Sequence, residues 1–330
     1  MVVVGTMQGS RILVARKLPD AAMDLLKESR HTIDIWPYSE VPIPRQTLLE
    51  KVSGIDGLLC LITDKIDSEL LDAAGKQLKV VSTMSVGYDH VSVPELKKRG
   101  IILGNTPDVL TDATADLTVA LLLATSRRLF EANKEARQGG WGTWSPLWMC
   151  GTGLKNSIIG ICGIGRIGHA VAQRLVPFGI KKILYTGRKE NESATKDLGA
   201  IYSSLDSLLQ QSDFVIACCA LNESTREMFN KDAFSKMKDT AIFINTSRGG
   251  VVNQEDLIEA LKSKQIKAAG LDVTTPEPLA TDHELFTLEN CVVLPHIGSA
   301  EVQTRVDMAV LAVKNLLAAL DGKDMPAKVV

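Results

Sequence analysis

The sequence predicts an α/β protein with two doubly wound parallel-sheet domains. Short apolar runs alternate with helical patterns along all 330 residues, a pattern typical of parallel sheets covered by helices on both faces. The runs form two groups, separated by one long helical pattern. The composition, 45% hydrophobic and 23% charged, is sufficient to fill two cores and cover them with charge.

The first group of apolar runs predicts a small, flavodoxin-like sheet of five strands. These runs lie at 11–17, 32–36, 57–62, 79–84 and 101–105. A further helical pattern, 299–320, follows the last predicted strand of the chain and has no place in the second sheet. We therefore predict a split domain of residues 1–107 and 299–330, which would bind the substrate.

The segment between the two groups predicts one long helix over 111–138, because no Gly or Pro interrupts the pattern before Gly139. A Gly-rich loop follows it and contains Trp141, Trp144 and Trp148, three of the four tryptophans. Such a composition is typical of an interface or of a pocket lid. We place the helix and the loop in a second domain, residues 108–298.

The second group of runs predicts six further strands, the number of strands in a complete dinucleotide-binding sheet. They begin at residues 157, 181, 214, 241, 267 and 291. The first of them leads into Gly163, Gly165 and Gly168, with Arg166 and Ile167 between the last two. A strand precedes this turn and an amphipathic helix follows it, which is the context that brings backbone amides against a pyrophosphate.

The end of the next strand indicates which dinucleotide is bound. An NAD site usually has an acidic residue there, which bonds to the ribose hydroxyls. This chain has Gly187 and Arg188 instead, and a guanidinium forms charge-assisted hydrogen bonds with a 2′-phosphate. The sequence therefore predicts NADPH as the preferred cofactor, with NADH as the second candidate.

Three polar residues follow the ends of later strands: Arg248, Glu277 and His296. Because ligands bind outside the carboxyl ends of parallel strands, these side chains are expected to converge on one crevice. An imidazole at His296 can protonate a carbonyl oxygen, a carboxylate at Glu277 can orient it, and a guanidinium at Arg248 can bind a substrate carboxylate. Gly298 allows close backbone approach to a nicotinamide.

Several other classes of function are excluded by composition. The net charge of −2 and the absence of a basic cluster argue against nucleic acid, and no apolar run is long enough for a membrane span. The N-terminal residues contain no pattern of a secretory signal. The six cysteines form no Cys-x-x-Cys pair, so we expect buried, reduced thiols and no metal site. A cytoplasmic protein is the expectation.

Four motifs, GICGIGRIG, NTSRGGVVN, GLDVTTPEP and LPHIGSA, occur in an order and spacing that resemble the D-2-hydroxyacid dehydrogenases. With STMSVGYDH, GGWGTWSPLWMCG and YTGR, the chain resembles the branch that reduces glyoxylate and hydroxypyruvate. The resemblance implies His296 as acid/base, Glu277 as its partner and Arg248 as substrate anchor. It also implies a homodimer, in which the long helix and the Trp-rich loop cross to the neighbour.

The resemblance further implies two groups of binding residues. Substrate contacts are expected at Val86, Gly87 and Trp141, besides Arg248. Cofactor contacts are expected at Gly163, Gly165, Arg166, Ile167, Gly168, Gly187, Arg188, Ala220, Thr246, Asp272 and Gly298. The substrate implied is a small 2-oxo or 2-hydroxy acid. The pair Thr274 and Thr275 departs from the family, many of whose members have a Phe after Asp-Val.

Two alternatives stay open at this point. One is another D-2-hydroxyacid dehydrogenase, such as a 3-phosphoglycerate dehydrogenase. The other is a nucleotide-sensing corepressor of the same fold, which can keep the Arg, Glu and His without catalysis. Turnover of NADPH with glyoxylate separates an enzyme from the corepressor.

Overall fold

A computed structural model describes residues 9–330 of the chain. The chain forms two compact units. The first contains the described residues up to Leu110 and those from Ala300 to Val330, and the second contains Thr111–Ser299. Residues 1–8, with which the N-terminal stretch begins, lie outside the described part, and for this stretch we expect no secretory signal.

The first unit contains a five-stranded parallel sheet of order β2-β1-β3-β4-β5, which is the flavodoxin-like order. Each strand lies inside its predicted run. The strands are β1 (Arg11–Val14), β2 (Thr32–Ile35), β3 (Gly57–Cys60), β4 (Val80–Thr83) and β5 (Ile102–Gly104). The helices are α1 (Asp20–Lys27), α2 (Arg45–Lys51), α3 (Ser68–Ala74), α4 (Val93–Arg99) and, from the end of the chain, α12 (Val302–Leu320).

Helix α12 covers one face of the first sheet, as the apolar pattern predicts. Its residues Ala312, Val313 and Leu316 are fully buried and pack in one cluster with Val14 and Leu59 of the strands. Burying a Val or Leu side chain contributes about 1.5–3 kcal/mol. The C-terminal helix is therefore part of the first core, and this unit is discontinuous in sequence.

The second unit contains a seven-stranded parallel sheet of order β12-β11-β10-β9-β6-β7-β8. The strands are β6 (Ile158–Cys162), β7 (Lys182–Thr186), β8 (Ile201–Tyr202), β9 (Phe214–Ala217), β10 (Ile242–Asn245), β11 (Ala268–Leu271) and β12 (Cys291–Val293). The helices are α5 (Thr111–Ser126), α6 (Leu129–Gln138), α7 (Arg166–Leu175), α8 (Glu192–Leu198), α9 (Leu205–Gln211), α10 (Lys231–Lys236) and α11 (Gln254–Lys262). The strand order reverses beside β6, where a dinucleotide binds in this type of sheet.

The sequence analysis did not predict strand β8, which brings the number of strands in this sheet from six to seven. It has two residues, Ile201 and Tyr202, paired in parallel with Leu184 and Tyr185 of β7. A pattern of alternation needs at least four residues to be recognised. The expected count of six strands was therefore wrong by this one edge strand.

The predicted long helix is interrupted at Arg128, whose φ of 55° lies in the left-handed region. The chain that returns after the Trp-rich loop packs at this point, where the amide of Thr152 donates to the carbonyl of Ser126 at 2.8 Å. The Arg128 side chain then binds Glu131 in the next turn, with Nε to carboxylate at 2.8 Å. The prediction of one helix over 111–138 was wrong because no local pattern reports this contact with a segment distant in sequence.

The cysteines are free thiols, and most are shielded from solvent. Cys60 and Cys162 are buried, whereas Cys150, in the loop after α6, is exposed and does not fit the expectation of a buried thiol. Among residues 9–330, no group of three or more His, Cys, Asp or Glu side chains could hold a metal ion. No helix in this described part is long and apolar enough to cross a membrane.

Candidate active site

The predicted site residues of the second unit lie in loops at one edge of its sheet. Because all seven strands are parallel, their carboxyl ends share that edge. The glycine loop follows β6, Arg188 follows β7, Ala220 follows β9, and Thr246 and Arg248 follow β10. Asp272 and Glu277 follow β11, and His296 follows β12.

The three glycines of the loop after β6 meet different steric requirements. Gly163 has φ +97°, and a Cβ there would lie 2.8 Å from the backbone of Cys219. A Cβ at Gly168 would lie 2.2 Å from the carbonyl oxygen of Gly163, so helix α7 and the start of the loop approach too closely for any side chain. At Gly165 no atom lies within 4 Å of an added Cβ.

Gly165 is therefore a glycine next to open space, at the N-cap of α7. Arg166 and Ile167 are the first two residues of that helix and lie at the positive end of its dipole. Such a helix start is suited to a pyrophosphate. All three glycines consequently meet the requirements of a loop that binds a dinucleotide.

The turn after β7 presents Arg188 to solvent. Gly187, Arg188 and Lys189 are all exposed. The turn carries no acidic residue at the first two positions after β7, where a carboxylate would repel a 2′-phosphate.

Two further predicted cofactor residues are held by hydroxyl groups. The hydroxyls of Thr118, on α5, and Thr246 lie 2.7 Å apart. The hydroxyl of Thr225 donates to the carbonyl of Ala220 at 2.7 Å. Helix α5 and the loop after β9 thus support residues at the edge of the sheet.

His296 and Glu277 form the central polar contact of the site, with Nδ1 and Oε2 2.7 Å apart. An ionised carboxylate only accepts hydrogen bonds, so Nδ1 carries the proton and Nε2 is the nitrogen left for proton exchange. The side chains are about one quarter and one third exposed, at 26% and 34%. The pair is therefore shielded but within reach of a ligand.

Glu277 is held by the loop that follows β11. Its other oxygen, Oε1, accepts a hydrogen bond from the amide of Thr274 at 3.1 Å. Gln254, at the start of α11, binds the backbone of Thr275 twice: its amide group donates to the carbonyl at 2.8 Å and accepts from the amide at 3.0 Å. The peptide bonds before Pro276 and Pro278 are cis.

His296 has a backbone conformation that few non-glycine residues adopt, with φ 54°. Its amide donates to the carbonyl of Asp272 at 2.8 Å. The carboxylate of Asp272 accepts from the amides of Ile297 and Gly298, both at 2.8 Å. Left-handed backbone of this kind persists where the surroundings hold it, and it is often found at functional sites.

Asp272 is almost fully buried, at 1% exposure. Burial raises the pKa of its carboxyl above the usual value, although the amide of Ile297 and the nearby His296 act in the opposite direction. The side chain also lies 3.1 Å from the position of a Cβ at Gly298. Asp272 therefore fixes the turn that carries His296, in addition to its expected contact with cofactor.

Arg248 lies in a loop that is tied to the end of β10 by Asn245. The Asn245 side chain donates to the carbonyl of Arg248 at 2.9 Å and accepts from the amide of Ser247 at 3.0 Å. A Cβ at Gly249 would lie 2.0 Å from the carbonyl oxygen of Thr274. The Arg248 loop and the Glu277 loop are thus in direct contact, and the guanidinium is partly buried.

Val86 and Gly87 belong to the first unit and follow β4. The carbonyl of Val86 accepts from the side chain of Asn105 at 2.9 Å, and the carbonyl of Gly87 accepts from the hydroxyl of Ser85 at 2.7 Å. Both carbonyls are therefore engaged within their own unit, which fixes the orientation of the segment.

Trp141 lies in the loop after α6, with 71% of its surface exposed. It is therefore not enclosed in a substrate pocket of its own chain. Trp144 and Leu147 in the same loop are 81% and 83% exposed.

Two depressions of about 490 and 480 Å³ lie elsewhere in the second unit. The second is lined by Ile242, Ala268 and Cys291, the first residues of β10, β11 and β12. These three residues lie at the amino ends of their strands, away from the edge that carries His296. Neither contains the chemistry described above.

The sequence analysis did not identify Gln254, Asn245 or Asp272 as residues that hold the loops of Arg248, Glu277 and His296. Asn245 ends a predicted strand and Asp272 lies in a resemblance motif, so both had a signal in the sequence. Gln254 begins an ordinary helix, and only the folded chain shows its bonds to Thr275.

Comparison with known proteins gives matches over nearly the whole chain. The model of the D-isomer specific 2-hydroxyacid dehydrogenase, NAD binding domain, matches residues 119–298. The glyoxylate reductase/hydroxypyruvate reductases of Homo sapiens and Mus musculus are 53% and 56% identical over 319 residues, which is 96% of this chain and 97% of each relative.

Solved structures give the same result. A protein from Thermus thermophilus has a TM-score of 0.89 and 43% identity, covering 97% of this chain and 100% of that one. An NADPH-dependent glyoxylate/hydroxypyruvate reductase from Sinorhizobium meliloti, in complex with NADP and malonate, has a TM-score of 0.85 and 33% identity, covering 97% of both chains. This protein belongs to the D-2-hydroxyacid dehydrogenase family.

Proposed function

We propose that this protein reduces glyoxylate to glycolate and hydroxypyruvate to D-glycerate, with NADPH as the preferred reductant. The observation that supports this most directly is the 2.7 Å contact between His296 and Glu277, at the sheet edge that also carries the glycine loop. The names of the human and mouse relatives support the same substrates.

His296 is the proposed acid/base. Its Nδ1 proton is held by Glu277, so Nε2 gives its proton to the carbonyl oxygen of the substrate and takes one back in the reverse reaction. Glu277 keeps the ring aligned and stabilises its protonated form. Bound NADPH would supply the hydride for the C2 carbon.

Arg248 is the proposed anchor for the substrate. Its guanidinium can form paired hydrogen bonds with a carboxylate and can polarise the adjacent keto oxygen. The proposal that the amides of Val86 and Gly87 also bind the carboxylate rests on family membership. The same holds for the substrate contact of Trp141.

The proposed cofactor residues are those of the glycine loop, with Gly187, Arg188, Ala220, Thr246, Asp272 and Gly298. The preference for NADPH rests on the exposed Arg188 and on the lack of an acid directly after β7. The NADPH-dependent relative from Sinorhizobium meliloti supports this choice.

A panel of assays tests the proposal. NADPH oxidation is followed by absorbance with glyoxylate, hydroxypyruvate, pyruvate and 3-phosphohydroxypyruvate, and each reaction is repeated with NADH. We expect the highest kcat/KM for NADPH with one of the first two substrates. A preference for 3-phosphohydroxypyruvate, or for NADH, would overturn the assignment.

Two histidine variants locate the acid/base. His296→Asn removes the proposed proton donor, whereas His31→Asn is a matched control. His31 lies in the first unit, and its Nδ1 accepts from the amide of Ser10 at 3.1 Å, a bond that the side-chain oxygen of Asn can also accept. We expect a large loss of kcat in the first variant and a normal kcat in the control; equal activities would refute the role of His296.

We also propose a homodimer formed through the long α5–α6 segment and the Trp-rich loop. Helix α6 has no buried residue in this chain, and the loop exposes Trp141, Trp144 and Leu147. Exposed apolar groups of this size in one segment are typical of a protein interface.

A further inference from the structure

The turn that carries Arg188 is fixed from one side by Tyr202. The hydroxyl of Tyr202 donates to the carbonyl of Gly187 at 3.0 Å, which is the peptide unit directly before Arg188. Tyr202 lies on β8, the short edge strand, and its ring packs on that of Tyr185 with centroids 5.4 Å apart. The ring contact with Tyr185 therefore holds the hydroxyl of Tyr202 in place against the carbonyl of Gly187.

The same turn is fixed from its other end by Asn191. The side-chain amide of Asn191 donates to the carbonyl of Ile164, in the glycine loop, at 3.0 Å. Its backbone amide donates to the hydroxyl of Tyr185 at 2.9 Å. Its side-chain oxygen accepts from Ala194 and caps α8. Asn191 thus connects the Arg188 turn to the loop proposed to bind the pyrophosphate.

We propose that Tyr202 and Asn191 are positioning residues that set the preference for NADPH over NADH by acting through Arg188. This inference rests on the proposed function, since it assumes that Arg188 binds the 2′-phosphate. Neither side chain needs to touch the cofactor. Their hydrogen bonds order the backbone on both sides of an exposed arginine before the phosphate arrives.

The physical reason is preorganisation. A long exposed side chain on a mobile turn must lose backbone and side-chain freedom when it binds, and this loss opposes binding. Here the backbone is ordered in advance by two side chains. NADH has no 2′-phosphate and does not use Arg188, so the ordered backbone does not increase the affinity for NADH. The loss of either hydrogen bond should therefore affect NADPH selectively.

The decisive experiment measures kcat/KM for NADPH and for NADH in Tyr202→Phe, Arg188→Ala and the double variant. Tyr202→Phe removes one oxygen atom and keeps the ring contact with Tyr185. A single hydrogen bond corresponds to a loss of about three- to tenfold for NADPH, while the NADH value stays within about twofold. Tyr38→Phe, the same chemical change in the first unit, is the control and should alter neither value.

The double variant tests whether Tyr202 acts through Arg188. In the Arg188→Ala background, Tyr202→Phe should lower the NADPH value by less than about twofold, because the group it positions is gone. Equal losses for both cofactors in Tyr202→Phe, or an unchanged loss in the double variant, would show a general structural role and overturn the inference. If Arg188→Ala itself fails to separate the two cofactors, the proposed NADPH site is wrong, and the inference falls with it.

Asn191→Ser gives a second, independent test. Serine keeps a good N-cap for α8, but it is too short to reach the carbonyl of Ile164. We expect an unchanged melting temperature and a selective loss for NADPH of about three- to tenfold. A normal NADPH value in this variant, or an equal loss for NADPH and NADH, would exclude Asn191 from the positioning role.

Discussion

The glycine loop allows two neighbouring substitutions to be predicted with opposite outcomes. In Gly168→Ala the new Cβ would lie 2.2 Å from the carbonyl oxygen of Gly163, whereas ordinary carbon–oxygen contacts are at about 3.3 Å or more. Helix α7 must move by roughly 1 Å, because backbone cannot turn aside as a side chain can. Overpacking of this kind costs about 1–3 kcal/mol, and the better helix propensity of Ala offsets at most about 1 kcal/mol.

We therefore expect Gly168→Ala to lower the free energy of unfolding by about 2 kcal/mol. This is the upper overpacking cost, about 3 kcal/mol, minus the gain of about 1 kcal/mol in helix propensity. For a unit of this size the melting temperature falls by about 4–8 °C. Gly165→Ser should behave differently. Its backbone, with φ −74° and ψ −160°, suits any residue, and no atom lies within 4 Å of the new Cβ.

Serine is also a preferred N-cap, so Gly165→Ser should be as stable as the wild type or slightly more so. Its side chain nevertheless occupies the space proposed for the pyrophosphate, and NADPH affinity should fall at least tenfold. Thermal unfolding and fluorescence titration with NADPH measure the two effects separately. A stable Gly168→Ala variant would refute the packing argument, and a Gly165→Ser variant with normal affinity would refute the placement of the pyrophosphate.

Three further predictions concern the acid/base pair, acid stability and assembly. Glu277→Gln removes the charge that stabilises the protonated ring of His296. Since a charge-assisted hydrogen bond contributes about 1.5–3 kcal/mol, kcat should fall about ten- to a hundredfold, and the KM for NADPH should not change. A normal kcat would contradict the role of Glu277. The hydrogen bonds of Asp67 to Arg45 and to the N-terminus of α3 outweigh burial and lower the pKa of its carboxyl. Asn at this position keeps the N-cap but loses the ion pair with Arg45, so Asp67→Asn should destabilise the first unit by up to about 1 kcal/mol at neutral pH. Urea unfolding should show this difference vanish as the pH falls through the lowered pKa, whereas a difference that grows in acid would contradict it. Trp144→Ser should shift the proposed dimer toward monomer in light scattering at low protein concentration, and an unchanged mass would argue against the loop as an interface.

The strand framework was predictable because parallel strands buried on both faces are continuous apolar runs. All eleven expected strands lie inside their predicted runs. The positions of Arg248, Glu277 and His296 after three strand ends followed from the same pattern. Their roles stay predictions until the variants are measured, but the contact between Glu277 and His296 is present in the structure.

The features that the sequence did not indicate depend on contacts between distant segments. The break at Arg128 is accompanied by the bond from Thr152 to Ser126, and strand β8 exists by pairing with β7. The bond from Tyr202 to Gly187 spans 15 residues. None of these produces a periodic pattern, so each becomes visible only in the folded chain.

The split of the first unit has a consequence for how the protein is made on the ribosome. Val14, Leu59 and the other strand residues of this face are synthesised early, but α12, which covers the face, emerges only after Thr111–Ser299. At about 5–20 residues per second, roughly 10–40 s pass in which that apolar face lacks its helix. The nascent sheet is thus a candidate client for chaperones during translation, whereas the second unit can fold before the first is complete.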